Sequence, residues 1–144
     1  MNVYPAQSDH PLFRYLDEDE RMRVEALGTI KRVEAGTILI RAGDKDSTLY
    51  EVNEGHLDIV VMRDGELNVL ATVGPGDVLG EVSFIDDSPR TVSVVAGADN
   101  AVVRAFDKRK LLGALGEDPW LMAKFGAALC ELLVERMRDI ARRV

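Results

Sequence analysis

The amino-acid sequence predicts a mainly β fold flanked by helices, and three observations carry that expectation. Glycines punctuate the first two thirds at short intervals (Gly28, Gly36, Gly43, Gly55, Gly65, Gly74, Gly76, Gly80), with β-branched and aliphatic runs between them. Such spacing suits the turns of a barrel or sandwich. From Asp118-Pro119 to Val144 the only glycine is Gly126, and Ala, Leu, Glu, Arg and Met dominate, which suits one long helix. Before the first of these glycines, an acidic opening at Asp17 to Glu20 leads a short helical rhythm.

Taken in order, Leu16 to Leu27 predicts the N-terminal helix, with Leu16, Met22 or Arg23, and Leu27 on its rhythm and a span of about 12–27. Strands follow over 29–106. Thr37 to Ile40, Leu49 to Val52, Leu57 to Met62, and Leu67 to Val73 each have the length of one strand, and Arg63-Asp64-Gly65-Glu66 supplies Asp-Gly turn chemistry between the last two. Leu57, Ile59 and Val61 alternate with His56, Asp58 and Val60, as a half-buried strand should. Thr91 to Ala96 and Ala101 to Phe106 are rich in Val, with Gly97 to Asn100 turning between them, for a total of about eight strands. The C-terminal helices are expected over 107–144. Asp118 is placed to cap the last one, Pro119 takes its first turn, and Arg136, Arg138, Arg142 and Arg143 gather where the helix dipole favours cations. Leu129, Leu133, Met137, Ile140 and Val144 recur at spacings of four, four, three and four. That stripe suits either packing on the barrel or a helix-to-helix dimer seam.

Charge and length narrow the function. Eighteen Lys and Arg against 25 Asp and Glu leave a net charge of −7, so no general basic field gathers polyphosphate backbones and no direct nucleic-acid partner is expected. No apolar stretch approaches the roughly 20 residues that cross a bilayer, and Met1 to His10 lacks the basic and apolar pattern of an export signal. With a lone Cys130, the expectation is one cytoplasmic domain over 1–144 that needs no disulfide.

The segment from Gly80 to Val94 breaks the β rhythm. Gly80-Glu81 opens a short helix through Ile85, before the turn-forming run Asp86-Asp87-Ser88-Pro89. A helix starting there directs the amides of Val82, Ser83 and Phe84 outward as a seat for an anion. Arg90 returns nine residues after Glu81 with a planar fork that fits a phosphate, and Thr91 adds an N–H and a hydroxyl.

This stretch resembles the phosphate-binding cassette of cyclic nucleotide-binding domains, as found in catabolite-activator-type regulators, kinase regulatory subunits and cyclic-nucleotide-gated channels. The resemblance extends over most of the chain through Leu49-Tyr50-Glu51-Val52, Glu54-Gly55 and Pro75-Gly76-Asp77, and the Gly80-Glu81 to Pro89-Arg90 spacing is similar to the kinase-regulatory-subunit form. It implies an eight-stranded, jelly-roll-like β-roll with a cassette at 80–94 that carries the short helix, and a ligand, cAMP ahead of cGMP, rather than a cofactor. Under it, Gly80 opens the cassette, Glu81 accepts from the ribose 2′-hydroxyl, Arg90 neutralises the cyclic phosphate, and the amides of Val82, Ser83 and Thr91 complete the shell. Leu70 and Ala71 would line the base, and Arg136 on the last helix would cover it. Val92 stands where the family usually carries alanine. Transcription-factor relatives continue into a helix-turn-helix. Here the expected output is an effector protein, a homodimer through the C-terminal helix, or a longer chain.

Other residues suggest less. His10 and His56 are far apart without a ligand pattern, Asp86 and Asp87 read as turn residues rather than a cation site, and no metal is expected. Trp120 is expected to anchor the start of the last helix, and Cys130 to be a small buried residue. No nucleophile, base and orienting group occur together, so no catalysis is assigned. A structural or interaction domain with a vestigial cassette is the competing expectation.

Overall fold

The computed structural model describes residues 10–142, so Arg143 and Val144 of the expected C-terminal cluster and stripe lie outside the described residues. The strands are β1 (Thr29–Val33), β2 (Ile38–Ile40), β3 (Leu49–Glu54), β4 (Leu57–Arg63), β5 (Glu66–Val73), β6 (Val78–Leu79), β7 (Ser93–Ala96) and β8 (Ala101–Phe106). The helices are α1 (Glu18–Glu25), α2 (Glu81–Asp86), α3 (Lys108–Leu115) and α4 (Pro119–Arg142), and a 3₁₀ turn covers Pro11–Phe13. The eight strands form two four-stranded antiparallel sheets, β1-β8-β3-β6 and β2-β7-β4-β5, the β-roll that the sequence predicts.

These residues fall into two compact units. Gly28–Lys108 is the β unit, and the segment up to Leu27 joins Arg109 onward in a helical unit. Inside the β unit, Val52, Leu57, Val94, Ala96, Ala101 and Val103 are buried in one apolar cluster. Each fully buried aliphatic side chain contributes about 1.5–3 kcal/mol, which sets the sheets' register firmly. The Asp64-Gly65 turn joins β4 to β5 with both residues at positive φ, 52° and 80°, and Arg63 opposite Glu66. That is the two-residue turn whose twist matches the strands.

The alternation expected along β4 stops halfway. Leu57 and Val60 are buried, whereas Val61 is only half-buried. The pairing passes from Ile59↔Ala71 to Val60↔Val69, so β5 carries Leu70 as an extra residue, and a bulge changes the local twist and the faces that follow. β7 begins at Ser93, two residues later than expected; the Ala42 amide donates to the Ser93 hydroxyl (2.9 Å), and ahead of the strand the backbone of Arg90 bonds to Asp44 and Gly43 in the β2–β3 loop.

In the helical unit, the Asp17 carboxylate accepts from the Glu20 amide (2.8 Å) and the Glu20 carboxylate accepts from the Asp17 amide (3.0 Å), a capping box that starts α1. Glu20 also accepts from Lys124 of α4 at 2.8 and 2.9 Å. Arg14 donates to Glu131 (2.7 Å) and Glu135 (3.3 Å), and the Tyr15 hydroxyl donates to Glu131. Asp118 caps α4 by accepting from the Leu121 amide at 3.1 Å, with Pro119 at the first position as expected.

Two expectations for α4 are corrected, and the packing reading of its stripe fails at Met137 and Ile140. Its buried face runs through Leu121, Phe125, Ala128, Leu129 and Leu132, so the predicted stripe leaves that face after Leu129, and Met137 and Ile140 are exposed. At 3.6 residues per turn the stripe runs along the edge of that face, which it shares only at Leu129, while the buried line itself continues to Asp139. Trp120 is 71% exposed and anchors nothing, since Pro119 and the Asp118 cap already fix the helix start. Cys130 is exposed, one position beyond buried Leu129. No helix among the described residues is long and apolar enough to cross a membrane.

Candidate functional site

The short strand β6 delivers the chain to Gly80, and the geometry there explains the residue. Gly80 has φ 81°, and an added Cβ would lie 2.5 Å from Arg90 Nη1 and 2.8 Å from the Thr48 carbonyl oxygen. A side chain is excluded both by the left-handed backbone and by lack of space. The turn lets α2 start at Glu81, whose side chain is buried at the positive end of the helix dipole. Phe84 donates its amide to the Gly80 carbonyl at 3.0 Å. That corrects the expectation of an outward Phe84 amide: the first intrahelical bond takes it, and of the three amides expected to face outward Val82 and Ser83 lie ahead of that bond. Ser83 is buried and Val82 half-exposed.

Arg90 is enclosed, its side chain 3% exposed. Nη1 donates to the Gly80 carbonyl at 3.1 Å, and Nη2 donates to the Thr48 carbonyl at 2.6 Å and to Asp46 Oδ2 at 3.1 Å. Its backbone is fixed as well, since the Arg90 amide donates to the Asp44 carbonyl (2.8 Å) and the Gly43 amide to the Arg90 carbonyl (2.7 Å). The guanidinium therefore cannot swing to solvent without breaking several bonds. A guanidinium has five N–H groups, and these bonds leave the buried Nε without a partner among the described residues. Leaving a buried donor unsatisfied costs about 1–3 kcal/mol, and an anion reached by that edge removes the cost.

Asp46 and Thr48 are the residues that sequence reasoning missed. Asp46 lies 44 positions from Arg90, and the two meet only because the β2–β3 loop folds back over the cassette. The one local signal is Asp46 two residues before Thr48: its Oδ1 accepts from the Thr48 amide (3.0 Å) and hydroxyl (2.7 Å). Partial burial pushes the Asp46 carboxyl up, but bonds from Thr48 and then from Arg90 outweigh it and hold the group below its ordinary value. Asp46 is partly exposed in this pair and Arg90 is not.

The model of the cyclic nucleotide-binding domain family matches residues 30–118, from β1 to the start of α4 and more than half of the sequence. The chain belongs to that family.

The chain is 38% identical over 98 residues to the cAMP-dependent protein kinase regulatory subunit of Blastocladiella emersonii, covering 67% of this chain and 24% of that protein. It is 33% identical over 135 residues to the cGMP-dependent protein kinase of Plasmodium berghei, covering 88% of this chain and 15% of that one. The fold is also similar to the catabolite activator protein of Thermus thermophilus, with a TM-score of 0.83 at 25% identity over 92% of this chain and 61% of that one. The chain thus spans a quarter or less of the length of those two kinase relatives.

Within this cyclic nucleotide-binding domain, the predicted residues are partly assembled. Gly80 and Arg90 meet directly, and Glu81, Val82 and Ser83 follow on α2. Thr91 is exposed beside Arg90, and Val92 half-buried. Leu70, 45% exposed, is the extra residue of the β5 bulge, and Ala71 is half-buried opposite Ile59. Arg136 is half-buried on α4 in the helical unit. Among the described residues no cluster of His, Cys, Asp or Glu is arranged to hold a metal ion.

Proposed function

We propose that this domain is a regulatory module that takes up a cyclic nucleotide, cAMP ahead of cGMP, in the cytoplasm. The observation that carries the reading is the enclosed Arg90, a fixed cation with a buried Nε–H still to be satisfied. The ring phosphate carries one negative charge, so a single guanidinium matches it, and charge-assisted bonds contribute about 1.5–3 kcal/mol each. The Val82, Ser83 and Thr91 amides complete the shell, and Glu81 accepts from the ribose 2′-hydroxyl. Leu70 and Ala71 support the base, and Arg136 closes over it. The kinase regulatory and cGMP-dependent kinase relatives support the ligand class. The signal is a shift in the position of α4, which the ligand drives only by binding one position better than the other. Output then passes to an effector protein or through a homodimer along α4, whose exposed Met137 and Ile140 favour an interaction surface.

Calorimetric titration with cAMP and cGMP tests this. Arg90→Leu is expected to weaken binding at least about tenfold, or about 1.4 kcal/mol, with the circular dichroism spectrum unchanged. Glu81→Gln weakens it less, and a 2′-deoxy nucleotide removes most of that difference. No heat at high micromolar nucleotide and no rise in melting temperature would favour the interaction-domain reading instead.

A further inference from the structure

The far end of the cassette helix breaks two local rules, and one cluster of contacts resolves both. Asp87 caps α2 at φ 57°, where glycine is the easy choice and a carboxylate side chain adds nothing to the turn itself. Lys108 is the first residue of α3, where the helix dipole disfavours a cation; the first turn itself holds no acidic residue, and Asp107 stands just ahead of it. The two side chains answer one another. Lys108 Nζ donates to Asp87 Oδ1 at 3.0 Å and to the Ile85 carbonyl at 3.4 Å, and lies 5.9 Å over the centre of the Phe84 ring. The same Asp87 oxygen accepts from the Ser47 hydroxyl at 2.7 Å. The Ser47 hydroxyl, and then Lys108, hold the Asp87 carboxyl below its ordinary value. The Lys108 side chain is 22% exposed, so its stem is packed and its charge is committed to the end of α2.

Lys108 also marks a boundary: it is the last residue of the β unit, and Arg109 the first residue of the helical unit on that side. We infer that Lys108 is a positioning residue that clamps the C-terminal end of α2 to the first residue of α3. A change in α2 is thereby delivered to the junction where the chain leaves the β unit. What moves α2 rests on the cyclic-nucleotide reading above; the clamp itself does not.

Hydrogen exchange on the ligand-free protein tests the clamp directly. Lys108→Gln and Asp87→Asn each remove one side of it, and Asn retains the left-handed backbone, so its effect reports the lost charge. Either substitution is expected to speed exchange about threefold or more both over 81–87 and over 108–112, with Lys108→Arg close to wild type. Faster exchange confined to the substituted side would overturn the inference. The second arm uses Trp120, the sole tryptophan, which is exposed on α4, as a fluorescent reporter during cAMP and cGMP titration. Lys108→Gln is expected to bind within about threefold of wild type yet to show less than half its emission change. A full emission change in that variant would equally overturn the coupling. If wild type itself gives no binding heat, the nucleotide reading fails while the exchange arm still decides the clamp.

Discussion

Arg90 is a costly residue to bury, and what surrounds it explains how the fold tolerates it. One carboxylate and two main-chain carbonyls take most of its donors, and Gly80 gives up a side chain so that the guanidinium can reach. Gly80→Ala sets a methyl group 2.5 Å from Nη1 on a backbone that alanine resists. It is expected to destabilise by about 1–3 kcal/mol and to displace Arg90, so a denaturation midpoint equal to wild type would show that the loop yields instead. Asp46 gives a pH signature. Its carboxyl sits below the ordinary aspartate value when folded, so its stabilising effect is complete above about pH 4 and is lost as pH falls through the lower folded value. Between pH 6 and pH 3, urea midpoints of wild type should fall more than those of Asp46→Asn. Parallel curves would mean that the Arg90 pair does not contribute to acid sensitivity.

At the level of elements, the caps are where sequence and structure agree most closely. Asp17 with Glu20, and Asp118 with Pro119, are local devices formed by residues a few positions apart. Asp17→Ala removes the acceptor for the Glu20 amide and is expected to cost about 0.5–2 kcal/mol, read as a fall in melting temperature of a few degrees. An unchanged melting temperature would show that α1 is held by Lys124 alone. The strands were legible by their apolar runs rather than by length, since the three-residue β2 was read from Thr37 to Ile40. β4, β5 and β8 have long patterned runs, whereas β6 is two residues long and β1 is exposed along all but its last residue, so neither presents an alternation to read. The β5 bulge at Leu70 was equally invisible, because an extra residue changes pairing with the neighbour and leaves its own strand's composition unaltered.

For the whole molecule, the exposed Val134, Met137 and Ile140 on α4 are the largest consequence of the corrected helix face. They lie three residues apart, so they share one side of the helix. If that side is a dimer seam, sedimentation equilibrium should find a dimer that the double substitution Met137→Glu, Ile140→Glu converts to monomer. A wild-type monomer at tens of micromolar would remove the seam. The net charge of −7 sharpens the contrast with the site, because an enclosed guanidinium in an acidic molecule suits a small anion held at short range better than a polyanion gathered from afar.

By itself the sequence determined the β-rich class, the Asp-Gly hairpin, the capped helices and the Gly80–Arg90 cassette, because each is written in neighbouring residues with fixed backbone preferences. Only the tertiary structure decided that Asp46 and Thr48 hold Arg90, that Lys108 meets Asp87, and which face of α4 is buried. Those facts join residues tens of positions apart, or depend on how a helix is rotated against its neighbours. Local propensity carries no information about either.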